Sequence, residues 1–226
     1  MTSGVRTYLR ALRGQKAEFI EDRLSEPIRE LVKVVQARTF ESRYFGVPAI
    51  KNPLDFWIYQ EIIWDLKPKV IVEIGTSCGG SSLALAHLLD QIGEGSVVTV
   101  DLDHSRVPSV VSEHQRIKLV TGDACNRFPV VSDFCRETEP VMVIEDSSHT
   151  YMNTLTVLRT YGRLVTHGSY FIVEDCICHH GLDAGPNPGP YEAVKDFLSE
   201  NKDFEADRSR EAYLLTWNPC GYLRRK

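Results

Sequence analysis

Hydrophobic positions recur three and four residues apart near the start of the chain. Across residues 16–40 an apolar stripe alternates with Glu, Arg and Lys, which is the pattern of an amphipathic helix. Pro27 interrupts the stripe and predicts a break or the start of a second helix, because proline is tolerated only in a first turn. The pair Asn52-Pro53, an N-cap and a first-turn proline, predicts another helix that ends near Lys67.

Beyond Pro68 the pattern changes to short, continuously apolar runs. Such runs are typical of parallel strands, because these are buried on both faces of a sheet. Helical segments separate the runs, which predicts an α/β fold with a doubly wound, mostly parallel sheet. Residues 204–219 read as two strands joined by a polar turn, so we expect a C-terminal antiparallel hairpin and seven strands in all. The five parallel strands are predicted at residues 69–75, 96–102, 117–123, 141–146 and 169–175.

Length and composition favour one structural domain. The chain has 226 residues, of which 42% are hydrophobic and 25% charged, and this is enough for a full core. We expect residues 1–66 to form an N-terminal helical extension packed on the core, and residues 67–226 to form the ligand-binding α/β domain. The N-terminal helices are also the candidate contacts of a homo-oligomer.

Charge and targeting signals narrow the range of partners. The net charge of −5 argues against a broad phosphate-binding surface, so we expect a small-molecule substrate and no nucleic acid. No apolar run approaches the ~20 residues of a membrane span, and the first residues lack a signal-peptide pattern, which predicts a cytoplasmic protein. The spacing in Cys176-Ile-Cys178-His179-His180 fits no standard zinc site, and the six cysteines are expected to be reduced.

A glycine-bearing turn follows the first predicted parallel strand. It reads Glu73-Ile-Gly75-Thr-Ser77-Cys-Gly-Gly-Ser-Ser, and ligands of doubly wound sheets bind at such strand ends. The absence of a lysine after the glycines excludes a P-loop, and Ser77 replaces the second glycine of a dinucleotide motif. Acids at the next two strand ends, Asp101 and Asp123, suit a ligand with a ribose. The turn alone would equally suit a purely structural connection.

The fourth and fifth predicted strands end in Glu145-Asp146 and Glu174-Asp175. Neighbouring parallel strands lie ~5 Å apart, so several carboxylates should converge there. A hard divalent cation with oxygen ligands, Mg²⁺ above all, would remove their mutual repulsion. Alternation along the strand directs Glu145 to the opposite face, outside this group. The alternative is that the acids are solvated loop residues or helix N-caps.

His149, three residues after Asp146, is the candidate general base. A histidine of near-neutral pKa can take a proton from a hydroxyl whose acidity a metal has raised. An ordinary structural role in the first turn of a helix is the alternative. His179 and His180 lie in the glycine- and proline-rich segment 176–190, which we expect to cover the substrate, and they are alternative bases or lid residues.

The strand-end pattern resembles the class I S-adenosylmethionine-dependent methyltransferases. The resemblance implies a Rossmann-like methyltransferase fold over residues 67–226, with the glycine turn at the methionine part of the cofactor. It assigns Asp101 to the ribose and Asp123 to the adenine. The predicted cofactor-binding residues are Glu73, Gly75, Thr76, Ser77, Gly79, Ser81, Ser82, Asp101, Asp123 and Ala124.

A narrower resemblance covers residues 45–225. The phrases IVEIGTSCGGSS, DSSHTYMNTL and GSYFIVED are similar to the cephalosporin hydroxylase (CmcI-like) and rhamnosyl O-methyltransferase family. This implies a metal-dependent O-methyltransferase acting on a hydroxyl of a small natural product or sugar, with Asp146, Glu174 and Asp175 as metal ligands. The alternatives are a hydroxylase or oxidoreductase of secondary metabolism, as the family name suggests, and a non-catalytic partner of a biosynthetic enzyme.

Overall fold

The structure is a computed structural model that describes residues 27–178 and 188–226. Two helices and two short strands precede the main sheet, and helices alternate with its strands. The helices are α1 Ile28–Thr39, α2 Pro53–Leu66, α3 Gly80–Ile92, α4 Ser109–Ser112, α5 Ala124–Phe134, α6 Tyr151–Tyr161 and α7 Pro190–Glu200. The strands are β1 Arg43–Tyr44, β2 Val47–Pro48, β3 Val70–Ile74, β4 Ser96–Asp101, β5 Ile117–Thr121, β6 Val141–Glu145, β7 Tyr170–Val173, β8 Phe204–Ala206 and β9 Tyr222–Arg225.

The seven-stranded, doubly wound sheet confirms the predicted fold class. Its strand order is β5-β4-β3-β6-β7-β9-β8, with β3 to β7 parallel and the last two strands antiparallel to their neighbours. The chain winds outward from β3 through β5 and then returns to β6 on the other side of β3. This reversal creates a crevice at the carboxyl ends of β3, β4 and β6, where such sheets bind ligands.

Helix α2 begins where the sequence predicted. Asn52 caps it by accepting a hydrogen bond from the backbone N–H of Leu54 at 3.1 Å, and Pro53 fills the first turn. Its inner face joins one of two apolar cores, which lie on opposite sides of the sheet. In that core Ile62 and Leu89 are fully buried, and each such side chain contributes about 1.5–3 kcal/mol.

Only part of the amphipathic stripe predicted across residues 16–40 lies within the described residues. Helix α1 starts directly after Pro27, while the first part of the predicted amphipathic stripe lies outside the described residues. The small antiparallel pair β1–β2 was not predicted, because two-residue strands leave no periodicity to detect. Among the described residues no helix is both long and apolar enough to cross a bilayer.

The C-terminal hairpin is present, but its second strand lies later than expected. Strand β8 begins at the predicted Phe204, whereas its partner is Tyr222–Arg225 instead of a strand within residues 213–219. The backbone of that stretch is held by α2: the Leu215 carbonyl accepts from Asn52, and the Trp217 N–H donates to Asp55 at 2.8 Å. Its polar groups are therefore paired with a helix terminus and not with a strand.

Candidate active site

The turn between β3 and α3 brings the backbone close to the end of β6. Gly75 has a φ of +101°, and a Cβ atom there would lie 2.0 Å from the carbonyl oxygen of Asp146. Only glycine permits this approach. Ser77 and Gly79 also have positive φ values, of 53° and 81°. Because serine adopts this conformation reluctantly, neighbouring groups must stabilise the turn.

A buried polar cluster lies beneath the turn. Ser81 Oγ donates to Glu73 Oε1 at 2.6 Å, and the hydroxyls of Ser82 and Thr99 donate to Oε2. Burial raises the pKa of Glu73, although the Lys51 ammonium and these donors lower it in part. The structure thus places Glu73, Ser81 and Ser82 where they join α3 to the sheet, behind the surface of the turn.

A cavity of about 360 Å³ opens at the carboxyl ends of β3, β4, β5 and β6. This volume lies in the range of small-molecule sites. Its wall includes five of the predicted cofactor-binding residues: Gly75, Ser77, Asp101, Asp123 and Ala124. Thr76 and Gly79 are buried within the turn.

Two of the three acids that line this cavity are held by hydrogen bonds to the backbone. Asp101 Oδ2 accepts hydrogen bonds from the backbone N–H groups of Thr76, at 2.9 Å, and Ser77, at 2.8 Å. Asp123 caps α5 by accepting from the N–H of Asn126 at 3.0 Å. Asp101 therefore holds the backbone of the glycine turn, and Asp123 is the N-cap of the helix that bounds the cavity.

The carboxylates at the ends of β6 and β7 converge as predicted. His149 Nε2 lies 3.4 Å from Asp175 Oδ2 and 3.8 Å from Asp146 Oδ1. The donor atoms of these three residues all lie within 4.8 Å of one another. His149 and Asp175 have φ values of 52° and 53°, an unfavourable backbone conformation that often marks functional sites. His179 and His180 lie outside the described residues.

Lys51 also belongs to this site, although nothing in the sequence indicated its role. Its ammonium pairs with Asp146 and lies 2.6 Å from Glu174 Oε1, and its side chain is 10% exposed. Burial would lower the pKa of Lys51, but Asp146, Glu174 and Glu73 outweigh it, so the pKa is raised. A single lysine in a polar loop carries no motif. Its placement depends on the β1–β2 pair, which packs against the start of α3.

Burial also changes the titration of the neighbouring acids. It raises the pKa of Glu174 well above its usual range and the pKa of Asp175 to about 6. Glu145 lies apart, accepting from Ser147 Oγ at 2.6 Å and Asn153 Nδ2 at 3.1 Å, and burial raises its pKa to about 7. Asp146, Glu174 and Asp175 outnumber the single lysine beside them, so they carry an excess of negative charge when all three are ionised.

A second group of possible metal donors lies elsewhere, on α3 and after α4. It comprises His87, Asp90 and His114. Arg116 already pairs with Asp90 at 2.5 Å, and His114 Nδ1 accepts the Arg116 backbone N–H, which leaves the proton on Nε2 facing Asp90. These contacts describe an ion-pair cluster. Neither group of donors found among the described residues includes a cysteine.

Comparison with known proteins identifies the family. The family model described as Rhamnosyl O-methyltransferase/CmcI matches residues 36–226. The chain belongs to this family. A rhamnosyl O-methyltransferase of Mycobacterium bovis (strain BCG / Pasteur 1173P2) is 30% identical over 192 residues, covering 81% of this chain and 78% of that protein. The corresponding protein of Mycobacterium leprae (strain TN) is 28% identical, with coverage of 81% and 82%.

Solved structures agree with the family assignment. A CmcI structure with Mg and S-adenosylmethionine has a TM-score of 0.67 and 25% identity, covering 94% of this chain and 87% of that one. The O-methyltransferase TomG from Streptomyces achromogenes, at 19% identity, shares the fold with a TM-score of 0.56 over 90% of each chain. The family member described here is an S-adenosylmethionine-dependent O-methyltransferase with a Rossmann-like fold, as the sequence predicted.

Proposed function

We propose that the protein moves the methyl group of S-adenosylmethionine to a hydroxyl of a sugar or another small natural product, with a divalent cation held by Asp146, Glu174 and Asp175. The position of Asp146 carries this proposal. It lines the cavity beside the glycine turn and also belongs to the cluster of metal-donor atoms. A cofactor in the cavity and a cation at the acids would thus be immediate neighbours.

The residues at the ends of β6 and β7 fit a hard cation. Glu174 Oε1 is buried, and its partner among the described residues is the Lys51 ammonium at 2.6 Å. Asp146 and Asp175 direct oxygens to a common point with His149. Carboxylate oxygens are the ligands that Mg²⁺ prefers, and a ligand set of three acids differs from the site of iron oxygenases, which has two histidines and one carboxylate.

The cofactor assignments follow the cavity wall. We propose that Asp101 binds the ribose hydroxyls and Asp123 the adenine, while Gly75, Thr76, Ser77, Gly79 and Ala124 shape the backbone around the cofactor. A carboxylate beside ribose hydroxyls accepts two hydrogen bonds, which suits Asp101 at the end of β4. Glu73, Ser81 and Ser82 would act from beneath by holding the turn in place.

Methyl transfer to a hydroxyl requires a group that accepts the hydroxyl proton. It also requires that the acceptor oxygen lie in line with the methyl carbon and the sulfur of the cofactor. A divalent cation bound at the acids would lower the pKa of an acceptor hydroxyl placed beside it. His149 Nε2 faces the same point and takes the hydroxyl proton. The acceptor oxygen then forms a bond to the methyl carbon as the carbon–sulfur bond breaks, and the electron pair stays on the sulfur of S-adenosylhomocysteine. The cavity contributes by holding the donor and acceptor in line.

The relatives indicate which acceptor to test first. The mycobacterial proteins are named rhamnosyl O-methyltransferases, so a rhamnosyl hydroxyl is our leading candidate acceptor. Membership of an O-methyltransferase family disfavours the hydroxylase alternative. A non-catalytic partner role would require that Asp146→Asn leave the cellular function intact.

Calorimetric titration of Mg²⁺ into the protein saturated with S-adenosylhomocysteine tests the cation site. The parent should bind one ion, while Asp146→Asn and Asp175→Asn should lose about 10-fold or more in affinity, because each removes a charged ligand. Asp103→Asn, a change at an exposed acid outside the donor cluster, is the matched control. Equal binding by all four proteins would reject the assignment.

A further inference from the structure

His104 lies in the loop after β4 and joins two other elements through both of its ring nitrogens. Nε2 lies 3.0 Å from Thr76 Oγ1 in the glycine turn, and Nδ1 lies 2.8 Å from Thr121 Oγ1 at the end of β5. The ring is half-buried. A histidine can serve either atom as donor or acceptor, so its role depends on where the proton resides.

The neighbouring hydrogen bonds determine the position of that proton. Glu73 accepts hydrogen bonds from the hydroxyls of Ser81, Ser82 and Thr99, and the single proton of Thr99 Oγ1 is directed to Glu73 Oε2 at 2.7 Å. Thr99 has no second proton, and the 2.7 Å contact between Thr76 Oγ1 and Thr99 Oγ1 requires Thr76 to donate. Thr76 can then only accept from His104, which places the proton on Nε2 and leaves Nδ1 to accept from Thr121.

We propose that His104 is a positioning residue of the cofactor site, which holds the glycine turn by donating a hydrogen bond from Nε2 to the Thr76 hydroxyl. The proposal rests on the cofactor site of the proposed function and adds a residue to it. Asp101 accepts hydrogen bonds from the N–H groups of Thr76 and Ser77 in the same turn. Thr76 is therefore held through both its backbone N–H and its side-chain hydroxyl.

The backbone conformation of the glycine turn explains why contacts from Asp101 and His104 are both needed to hold it. Ser77 has a φ of 53°, a conformation that serine adopts reluctantly, so the backbone preference of the turn does not hold it in place by itself. Thr99 and His104 contact the Thr76 hydroxyl from β4 and from the following loop. Burial lowers the pKa of His104 despite the nearby Asp101 and Asp103, which agrees with a neutral ring.

Two substitutions at His104 distinguish the roles of its two ring nitrogens. In His104→Gln the amide Nε2 stands where the imidazole Nε2 stood and can still donate to Thr76. In His104→Asn the shorter amide reaches only the Nδ1 position, so the contact with Thr121 is kept and the contact with Thr76 is lost. His167→Asn makes the same change at an exposed histidine and serves as the matched control.

Calorimetry with S-adenosylhomocysteine should show His104→Gln and His167→Asn within about 3-fold of the parent, and His104→Asn about 10-fold weaker, as expected for one lost hydrogen bond. The KM for S-adenosylmethionine should rise likewise in His104→Asn, with kcat at saturating cofactor unchanged. Equal losses in the Gln and Asn variants, or no loss in either, would overturn the proposal. A parent that fails to bind S-adenosylhomocysteine would instead reject the cofactor site on which it rests.

Nitrogen-15 NMR of the histidine side chains tests the proton position directly in the parent protein. With 7 histidines in the chain, the His104 signals are identified by their loss in His104→Asn or His104→Gln. A protonated Nε2 and an unprotonated Nδ1 at neutral pH are expected. A proton on Nδ1 in place of Nε2 would contradict the direction of the hydrogen bonds and the role of His104.

Discussion

At the scale of single residues, charge balance governs the acidic end of the site. Lys51 is the cation among Asp146, Glu174 and Glu73, three carboxylates drawn from three strands. A buried pair is costly to break, because the remaining charge stays in a poorly solvated place. Lys51 therefore stabilises the fold and partly offsets the rise that burial causes in the pKa values of Glu174 and Glu73.

Replacing Lys51 should reveal this charge balance in the free energy of unfolding. Lys51→Met is expected to lose about 3 kcal/mol in urea denaturation, since the acids lose their partner. Added Mg²⁺ should restore part of the loss by supplying another cation. The control is Lys69→Met, which breaks a pair with Glu94 whose side chains are 41% and 46% exposed, and which should change the free energy of unfolding far less. Similar losses in both variants would contradict a special role for Lys51.

Gly75 gives a second test at a single position. Gly75→Ala places a methyl group 2.0 Å from the Asp146 carbonyl oxygen, so the turn or the end of β6 must move. We expect S-adenosylhomocysteine binding to weaken at least about 10-fold, which corresponds to 1.4 kcal/mol. Gly93→Ala has the same left-handed strain, with a φ of +92°, but meets no atom within 4 Å. If calorimetry gives both variants the same affinity as the parent, close approach of the turn to β6 is not needed.

At the scale of elements, the start of α2 organises the C-terminal part of the sheet. Asp55 is 6% exposed and accepts from the N–H of Trp217 at 2.8 Å and the Tyr222 hydroxyl at 2.9 Å, and Thr216 donates to it as well. These bonds connect an N-terminal helix to the last strand across the whole sequence. They also explain why residues 213–219 do not form the predicted strand.

Removal of the Asp55 carboxylate should loosen this connection. Asp55→Ala leaves a buried N–H and a buried hydroxyl without acceptors, so the free energy of unfolding should fall by about 3 kcal/mol. Asp65→Ala, on the same helix, removes a pair with Arg210 in which the Asp65 side chain is 58% exposed, and should cost under about 1 kcal/mol. Urea denaturation measures both. Equal stability of the two variants would mean that Asp55 does not hold the C-terminal strands.

Periodicity predicted the elements that are long or buried on both faces. All five parallel strands and helix α2 lie where their patterns indicated, because burial imposes a continuous apolar run or a clear cap. Elements governed by distant contacts escaped detection. The second strand of the hairpin lies later than predicted because Asn52 and Asp55 bind the Leu215 carbonyl and the Trp217 N–H, and the sequence carries no sign of that pairing.

At the scale of the whole molecule, topology assembles the site. The reversal of winding at β3 brings the glycine turn, Asp101, Asp123 and Asp146 around one cavity, as expected from acids at successive strand ends. Residues that reach the site from outside the sheet could not be predicted in this way. Lys51 enters from the loop before α2 and His104 from a loop after β4, and only the folded arrangement shows their partners.

Methyl transfer before and after metal removal tests the central claim most directly. The protein, labelled S-adenosylmethionine and a rhamnosyl glycoside are assayed untreated, after chelation and dialysis, and after Mg²⁺ is added back. Loss of transfer on chelation and its recovery with Mg²⁺ are expected, because the acids at Asp146, Glu174 and Asp175 would again hold a cation beside the acceptor hydroxyl. Transfer at an undiminished rate in the chelated protein would contradict metal-assisted methylation.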